Sequence, residues 1–413
     1  MKKALNYLFF CILGMSLSVG CKSPEEPELV ASNFAFAEKQ LKYAFFKIEE
    51  THNNKEEVRK NESKRNAPLT NPRNTRKDGT LHLVSSKDWT SGFFPGELWY
   101  MYEYTHESFW KEKAEKHTEI LEQEKRNGKT HDMGFKMYCS YGNGYRLTGN
   151  QTYRDILLES AATLATRFKP NVGCIRSWDH HADQWECPVI IDNMMNLELL
   201  FWAFHETNDS SFYHIAVSHA RTTMKNHFRE DYSTYHVVNY DTITGKPICK
   251  ETHQGYSHES AWSRGQAWAL YGYTMCYRET GLQEFLEQAK HIERYIFTNP
   301  NLPEDLIPYW DFNAPEIPAE PRDASAAACI ASALYELSQY VPEYKKLYRK
   351  EGDCILTNLA TNYRANLKSD NGFLLLHSTG SKPHDSEVNT SLVYADYYFL
   401  EALLRKNKLE KQP

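Results

Sequence analysis

Five copies of one kind of joint constrain this chain more than any other feature. An apolar or aromatic helix end runs into a polar turn, and a new aromatic residue opens the next helical stretch. The joint reads Tyr104-Thr105-His106-Glu107-Ser108-Phe109, then Leu147-Thr148-Gly149-Asn150-Gln151-Thr152-Tyr153, Glu206-Thr207-Asn208-Asp209-Ser210-Ser211-Phe212 and Glu279-Thr280-Gly281-Leu282-Gln283-Glu284-Phe285. A weaker copy is Gln339-Tyr340-Val341-Pro342-Glu343-Tyr344. Thr, Asn, Asp and Ser are expected there as caps of the following helix, and Gly as the end of the preceding one. Five joints predict five helical hairpins.

The apolar periodicity agrees. Val30, Phe34, Ala37, Leu41, Ala44, Phe45 and Ile48 recur at spacings of three and four, the period of one helix face. Similar patterns predict helices near 96–105, 108–123, 132–147, 152–168, 190–205, 210–228, 260–280, 283–297, 323–339, 342–366 and 389–405. The first and last helices would form a sixth pair. Unequal spacing between joints excludes a solenoid of uniform repeats. A length of 413 residues suits two or three ordinary domains, but six hairpins describe one all-α (α/α)6 barrel over residues 29–413.

Residues 1–20 stand outside that plan. Met1-Lys2-Lys3, the apolar run from Ala4 to Leu13 and the small residues up to Gly20 have the layout of an export signal. Gly20 before Cys21 resembles a lipoprotein processing site, with lipid on Cys21 and a Pro/Glu linker through residue 28; a plain signal peptide is the alternative. The expected location is the bacterial cell envelope, lipid-anchored and facing the periplasm or the surface, with membrane contact through the anchor alone. Of the other cysteines, Cys11 lies in the signal and seven remain, with no CxxC pair, so neither a zinc ribbon nor a dense disulfide framework is indicated. They read as buried small hydrophobes, with one disulfide left open.

A net charge of −6 argues against a nucleic-acid backbone as partner, whereas 27 Tyr, 20 Phe and 9 Trp suit stacking on sugar rings. Two carboxylates open apolar helices: Asp132 in Thr130-His131-Asp132-Met133-Gly134 and Asp192 in Ile190-Ile191-Asp192-Asn193-Met194. Each has two readings, a helix cap or a catalyst. Apolar neighbours around Asp192 predict a desolvated carboxyl with a raised pKa, the state of a general acid, and a nearby Asp132 would raise it further. Trp268 reads equally as core or as a sugar-stacking wall. His180-His181 beside Asp179, Asp183 and Glu186 invites a metal, but adjacent side chains diverge and no metal-ligand spacing is present; no metal and no cofactor are expected. Serine-hydrolase, phosphate-loop and dinucleotide motifs are absent from the sequence.

Trp89-Thr-Ser-Gly-Phe-Phe-Pro-Gly, His131-Asp132-Met-Gly-Phe, Ile191-Asp192-Asn-Met-Met-Asn-Leu, Gln254-Gly-Tyr-Ser, Trp262-Ser-Arg264-Gly-Gln-Ala-Trp268, Pro308-Tyr309-Trp310-Asp311-Phe and Glu320-Pro-Arg322-Asp323-Ala follow one another in an order that resembles the unsaturated glucuronyl hydrolases, glycoside hydrolase family 88. The resemblance runs over nearly all of the chain after the signal. It implies an (α/α)6 barrel and a substrate left by polysaccharide lyases, an oligosaccharide, glycosaminoglycan-derived, with a C4=C5 unsaturated uronic acid at its non-reducing end. It also implies that Asp192 protonates C4 and then assists water addition at C5, while Asp132 holds water or sugar hydroxyls. By the same resemblance His131, His236, Gln254 and Arg264 contact the uronate, and Trp89, Trp178, Trp262 and Trp268 wall it in. Ser378, Ser381 and Lys382 match a sulfate-tolerant loop, with Lys382 one place early; a plain polar turn is the other reading. An unsaturated rhamnogalacturonyl hydrolase and a noncatalytic glycan-binding lipoprotein are the alternatives. The latter gives no reason for a carboxyl embedded in apolar residues.

Overall fold

The computed structural model describes residues 26–54, 56 and 69–411, so the signal and Cys21 lie outside the described residues. Twelve α-helices follow one another within them as inner and outer partners. The outer helices are α1 (Glu26–Asn53), α3 (Ser108–Glu119), α5 (Gln151–Ala165), α7 (Ser210–Asn226), α9 (Gln283–Thr298) and α11 (Lys345–Asn358). The inner helices are α2 (Phe93–Thr105), α4 (Asn143–Thr148) with the π-helical turn Gly134–Gly142 before it, α6 (Leu197–Thr207), α8 (Ser263–Thr280), α10 (Ala324–Leu337) and α12 (Val393–Glu410).

A helix without a water-facing side must be apolar or internally satisfied all round. Every residue of α10 is buried, as is α8 from Ser263 to Cys276. The outer helices bury one stripe only. α10 packs on α8 and α12, α12 packs on α2, and α1 packs on α12, so the ring closes and α1 completes the sixth pair. The result is an (α/α)6 barrel. One buried apolar cluster runs through it from Leu29 to Leu409.

Four joints share one device. His106, Gly149, Asn208 and Gly281 each end an inner helix in the left-handed conformation, with φ between 58° and 69°. The Thr before each donates its hydroxyl to the carbonyl four residues back: Thr105 to Met101, Thr148 to Gly144, Thr207 to Ala203 and Thr280 to Cys276. That hydroxyl then accepts the N–H two residues ahead at 3.2 to 3.3 Å. Thr therefore closes the preceding helix and does not cap the next. Asn150 and Asp209 do cap, each accepting an N–H of the following first turn.

Short joints at one end leave the long connections at the other. There lie the hairpin β1 (Asn71–Thr75) and β2 (Leu81–Val84), the pair β3 (Phe168–Lys169) and β4 (Cys174–Ile175), and a sheet of order β5 (Pro188–Ile190), β6 (Val237–Tyr240), β7 (Pro247–Glu251). All pairings are antiparallel. These loops surround the N-termini of the inner helices.

Candidate active site

Asp192 is placed by the end of a ladder. β5 pairs with β6, and the next N–H, that of Ile191, donates to the His236 carbonyl at 3.0 Å. The chain then turns through a 3₁₀ segment, Ile191–Asn196, whose start the Asp192 side chain does not cap. Its carboxyl is left for other work. Oδ2 lies 3.5 Å from Nε2 of His236 and is buried without a closer partner.

Asp132 precedes the π-helical turn of the adjoining inner element. Thr130 Oγ1 donates to its Oδ2 at 2.7 Å, and His131 Nε2 lies 3.2 Å from its Oδ1. His131 is oriented from behind, because Nδ1 lies 2.8 Å from the Ser177 carbonyl and donates to it. Gly134 explains how the two acidic segments come together. A Cβ there would stand 2.6 Å from the Asn196 Cα, so only glycine permits the approach. The Phe135 N–H donates to Asn196 Oδ1 at 3.0 Å and locks it.

Both carboxylates line one cavity of about 140 Å³ at the loop end of the barrel, room for about one sugar ring. His131, Trp89, Trp178, Gln254, Arg264 and Ser381 also line it. So do Arg73, Phe135, Ser386, Glu387 and Tyr394, which the sequence reading missed. Arg73, from β1, is held by Asp88 and by Glu387 of the loop before α12. Phe135 closes the His131-Asp132-Met-Gly-Phe motif, but no motif marks the others: Arg73 comes from β1, Ser386 and Glu387 from the loop before α12, and Tyr394 from α12 itself.

Other expected contacts are placed elsewhere. Trp268 is fully buried between Phe135 and Tyr398, so it is core and not a wall of the cavity. Trp262 lies behind the site, under the Arg264 guanidinium and beside the His236 ring. His236 meets Asp192 and does not line the cavity. Ser378 is wholly buried, its backbone paired with Thr390. Lys382 bonds to Glu320 and sits over Trp310, outside the cavity, so a sulfate would compete with a carboxylate already in place. Arg264 does reach the cavity, but NH1 donates to Asp323 Oδ2 and the Thr379 carbonyl, both at 2.6 Å, and NH2 to Gly380. Its fork is largely committed to holding the 379–380 loop.

The raised pKa expected of Asp192 is also not found. Burial pushes the carboxyl up, but the bond from the His236 ring N–H, helped by the Arg264 guanidinium, outweighs it, and the group lies below its ordinary value. Among the described residues, no group of three or more His, Cys, Asp or Glu side chains is arranged to hold a metal ion. Among the described residues six cysteines, including Cys139, Cys174 and Cys329, are free thiols.

A helical barrel whose loop end presents three carboxylates, two indole rings and two guanidinium groups around a ring-sized cavity suits a carbohydrate ligand. Residues 58–401 match Glycosyl Hydrolase Family 88; the chain belongs to that family and is a glycosidase. It is 53% identical over 333 residues to an unsaturated glucuronyl hydrolase of Formosa agariphila, covering 80% of this chain and 82% of the relative. It is 32% identical over 336 residues to an unsaturated chondroitin disaccharide hydrolase of Streptococcus pneumoniae, covering 79% of this chain and 84% of that one. The crystal structure of an unsaturated glucuronyl hydrolase specific for heparin superposes with a TM-score of 0.86 at 45% identity, covering 93% of this chain and 98% of the other.

Proposed function

We propose that this glycosidase removes a 4,5-unsaturated uronic acid from the non-reducing end of lyase-generated, glycosaminoglycan-derived oligosaccharides. One observation carries the reading. Asp192 has one carboxyl oxygen buried against His236, which leaves Oδ1 facing a cavity with room for a single ring. Asp192 in its protonated form gives a proton to C4, and the ring oxygen shares the positive charge that develops at C5. Water adds at C5, and the Asp192 carboxylate takes its proton, which restores the acid. The C5 hemiketal opens to a ketone and leaves a hemiacetal at C1, which expels the remaining sugar. No oxidant or metal enters the balance.

Asp132, which accepts the Thr130 hydroxyl, holds water or ring hydroxyls in this scheme. Trp89 and Trp178 supply stacking faces, and Arg264 with Gln254 presents the positive and polar side to the uronate. Because Glu320 occupies Lys382, substrates without sulfate at that point are preferred. Location in the cell envelope through lipidated Cys21 is part of the same proposal; it rests on the signal layout alone, and loss of fatty-acid labelling in Cys21→Ala would test it.

The test is optical. The C4=C5 bond conjugated to a carboxylate absorbs ultraviolet light, and hydration bleaches it. Purified protein is expected to bleach chondroitin-, heparin- or hyaluronan-derived disaccharides, and Asp192→Asn to bind them without bleaching. Undiminished turnover by Asp192→Asn would overturn the mechanism. Binding without bleaching of any of them by the wild type would favour a glycan-binding role.

A further inference from the structure

The two nitrogens of His236 have unlike surroundings. Nδ1 accepts the backbone N–H groups of His253 at 3.0 Å and Gln254 at 3.1 Å. A ring nitrogen that accepts N–H bonds carries no proton, so the ring proton lies on Nε2. Nε2 is the atom that faces Asp192 Oδ2, and both are buried with no other partner. The ring cannot turn away. Trp262 packs on it at a centroid distance of 4.7 Å, Trp178 meets it edge-on at 6.1 Å, and its carbonyl is held by the Ile191 N–H.

We propose that His236 is a tautomer-locked positioning residue whose Nε2–H donates to Asp192 Oδ2, so that the proton delivered to C4 and the proton taken from water both pass through Oδ1. This rests on the glycosidase reading only for what the proton is used for; the tautomer itself does not depend on it. The 3.5 Å separation is long for a hydrogen bond and is expected to tighten when substrate fills the cavity. Donation to Oδ2 sets the direction of the free carboxyl. It aims the acid and keeps Oδ2 out of the chemistry.

The same bond lowers the affinity of Asp192 for a proton, in line with the downward shift of its pKa. Other groups facing the carboxyl are His131 and Asp132 from the turn before α4 and Arg264 from α8, with the Arg73–Glu387 pair across the cavity. None of them replaces a donor at Oδ2. Removing the imidazole should therefore raise the Asp192 pKa and move the alkaline limb of kcat/KM upward.

Two measurements test the proposal. In the intact protein with isotope-labelled histidine, His236, assigned by its loss in His236→Gln, is expected to show an unprotonated Nδ1 and a protonated Nε2 across the active pH range. A protonated Nδ1 at any such pH overturns the lock, whether or not Asp192 proves to protonate C4. In kinetics, His236→Ala is expected to lower kcat and shift the alkaline limb up by about one pH unit, and His236→Gln, which keeps an N–H near Oδ2, to restore the limb at least halfway. If both variants lose rate with the limb unmoved, or raise KM alone, His236 is a packing residue or a substrate contact and the proposal fails.

Discussion

To serve as the proposed acid Asp192 must be protonated, yet the groups around it in the free protein favour its ionised form. Its burial is opposed by His236, His131 and Arg264, so the acid form is scarce until something offsets them. A uronate substrate brings a negative charge, and a like charge beside a carboxylate raises its pKa. The sign follows directly. The limb on which activity falls with rising pH should lie higher in kcat, which reports the bound complex, than in kcat/KM, which reports the free enzyme. Coincident limbs would mean that the uronate does not adjust its own acid. The Ile190-Ile191-Asp192 pattern made the burial of this carboxyl readable in the sequence. The donors that reverse its effect were not readable, because His236 and Arg264 lie 44 and 72 positions downstream and meet Asp192 only through the sheet and α8.

Among the elements, inner helices carry charges that a water-facing helix would leave solvated. Arg264 and Asp323 are 1% and 0% exposed and pair across the starts of α8 and α10. Arg264→Leu should destabilise the fold by about 3–5 kcal/mol in denaturant titration, since it strands a buried carboxylate; a loss below about 1 kcal/mol would show that Asp323 finds another partner. Trp268→Ala should cost about 3–5 kcal/mol through the void it leaves beside Phe135 and Tyr398, whereas Trp89→Ala should weaken substrate binding more than stability.

Between α9 and α11, burial raises Glu293 and Glu351, and the Glu293 carboxylate raises Glu351 further. Groups whose pKa is raised on folding stabilise while protonated, so this contribution is fully present below the ordinary carboxylate range and is lost as pH rises from there through neutral into alkaline pH. Glu351→Gln should flatten that alkaline loss, and an unchanged pH–stability curve would show the pair to be solvated. The helices themselves were legible, because Thr105, Thr148, Thr207 and Thr280 repeat one hydrogen-bonding device. The seven strands among the described residues were not. β3 and β4 are two residues each and β5 three, too short for an alternating pattern to show.

The whole molecule has a direction. Short joints gather the C-termini of the inner helices at one end, and the N-termini face the cavity at the other. Helix N-termini favour negative charge, which helps reconcile a chain of net charge −6 with an anionic sugar. The barrel was legible from the hairpin count, but the cavity wall was legible only where motifs ran through it. Arg73 of β1 and Glu387 of the loop before α12 lie 314 positions apart and close the wall by their mutual ion pair, a contact that no local pattern announces. The account rests on proton delivery to C4 by Asp192, and turnover in deuterium oxide reads that step directly. The prediction is one deuterium on a single face of C4 in the wild-type product and no turnover by Asp192→Asn. A product released without stereospecific deuterium at C4, or formed at full rate by Asp192→Asn, would contradict it.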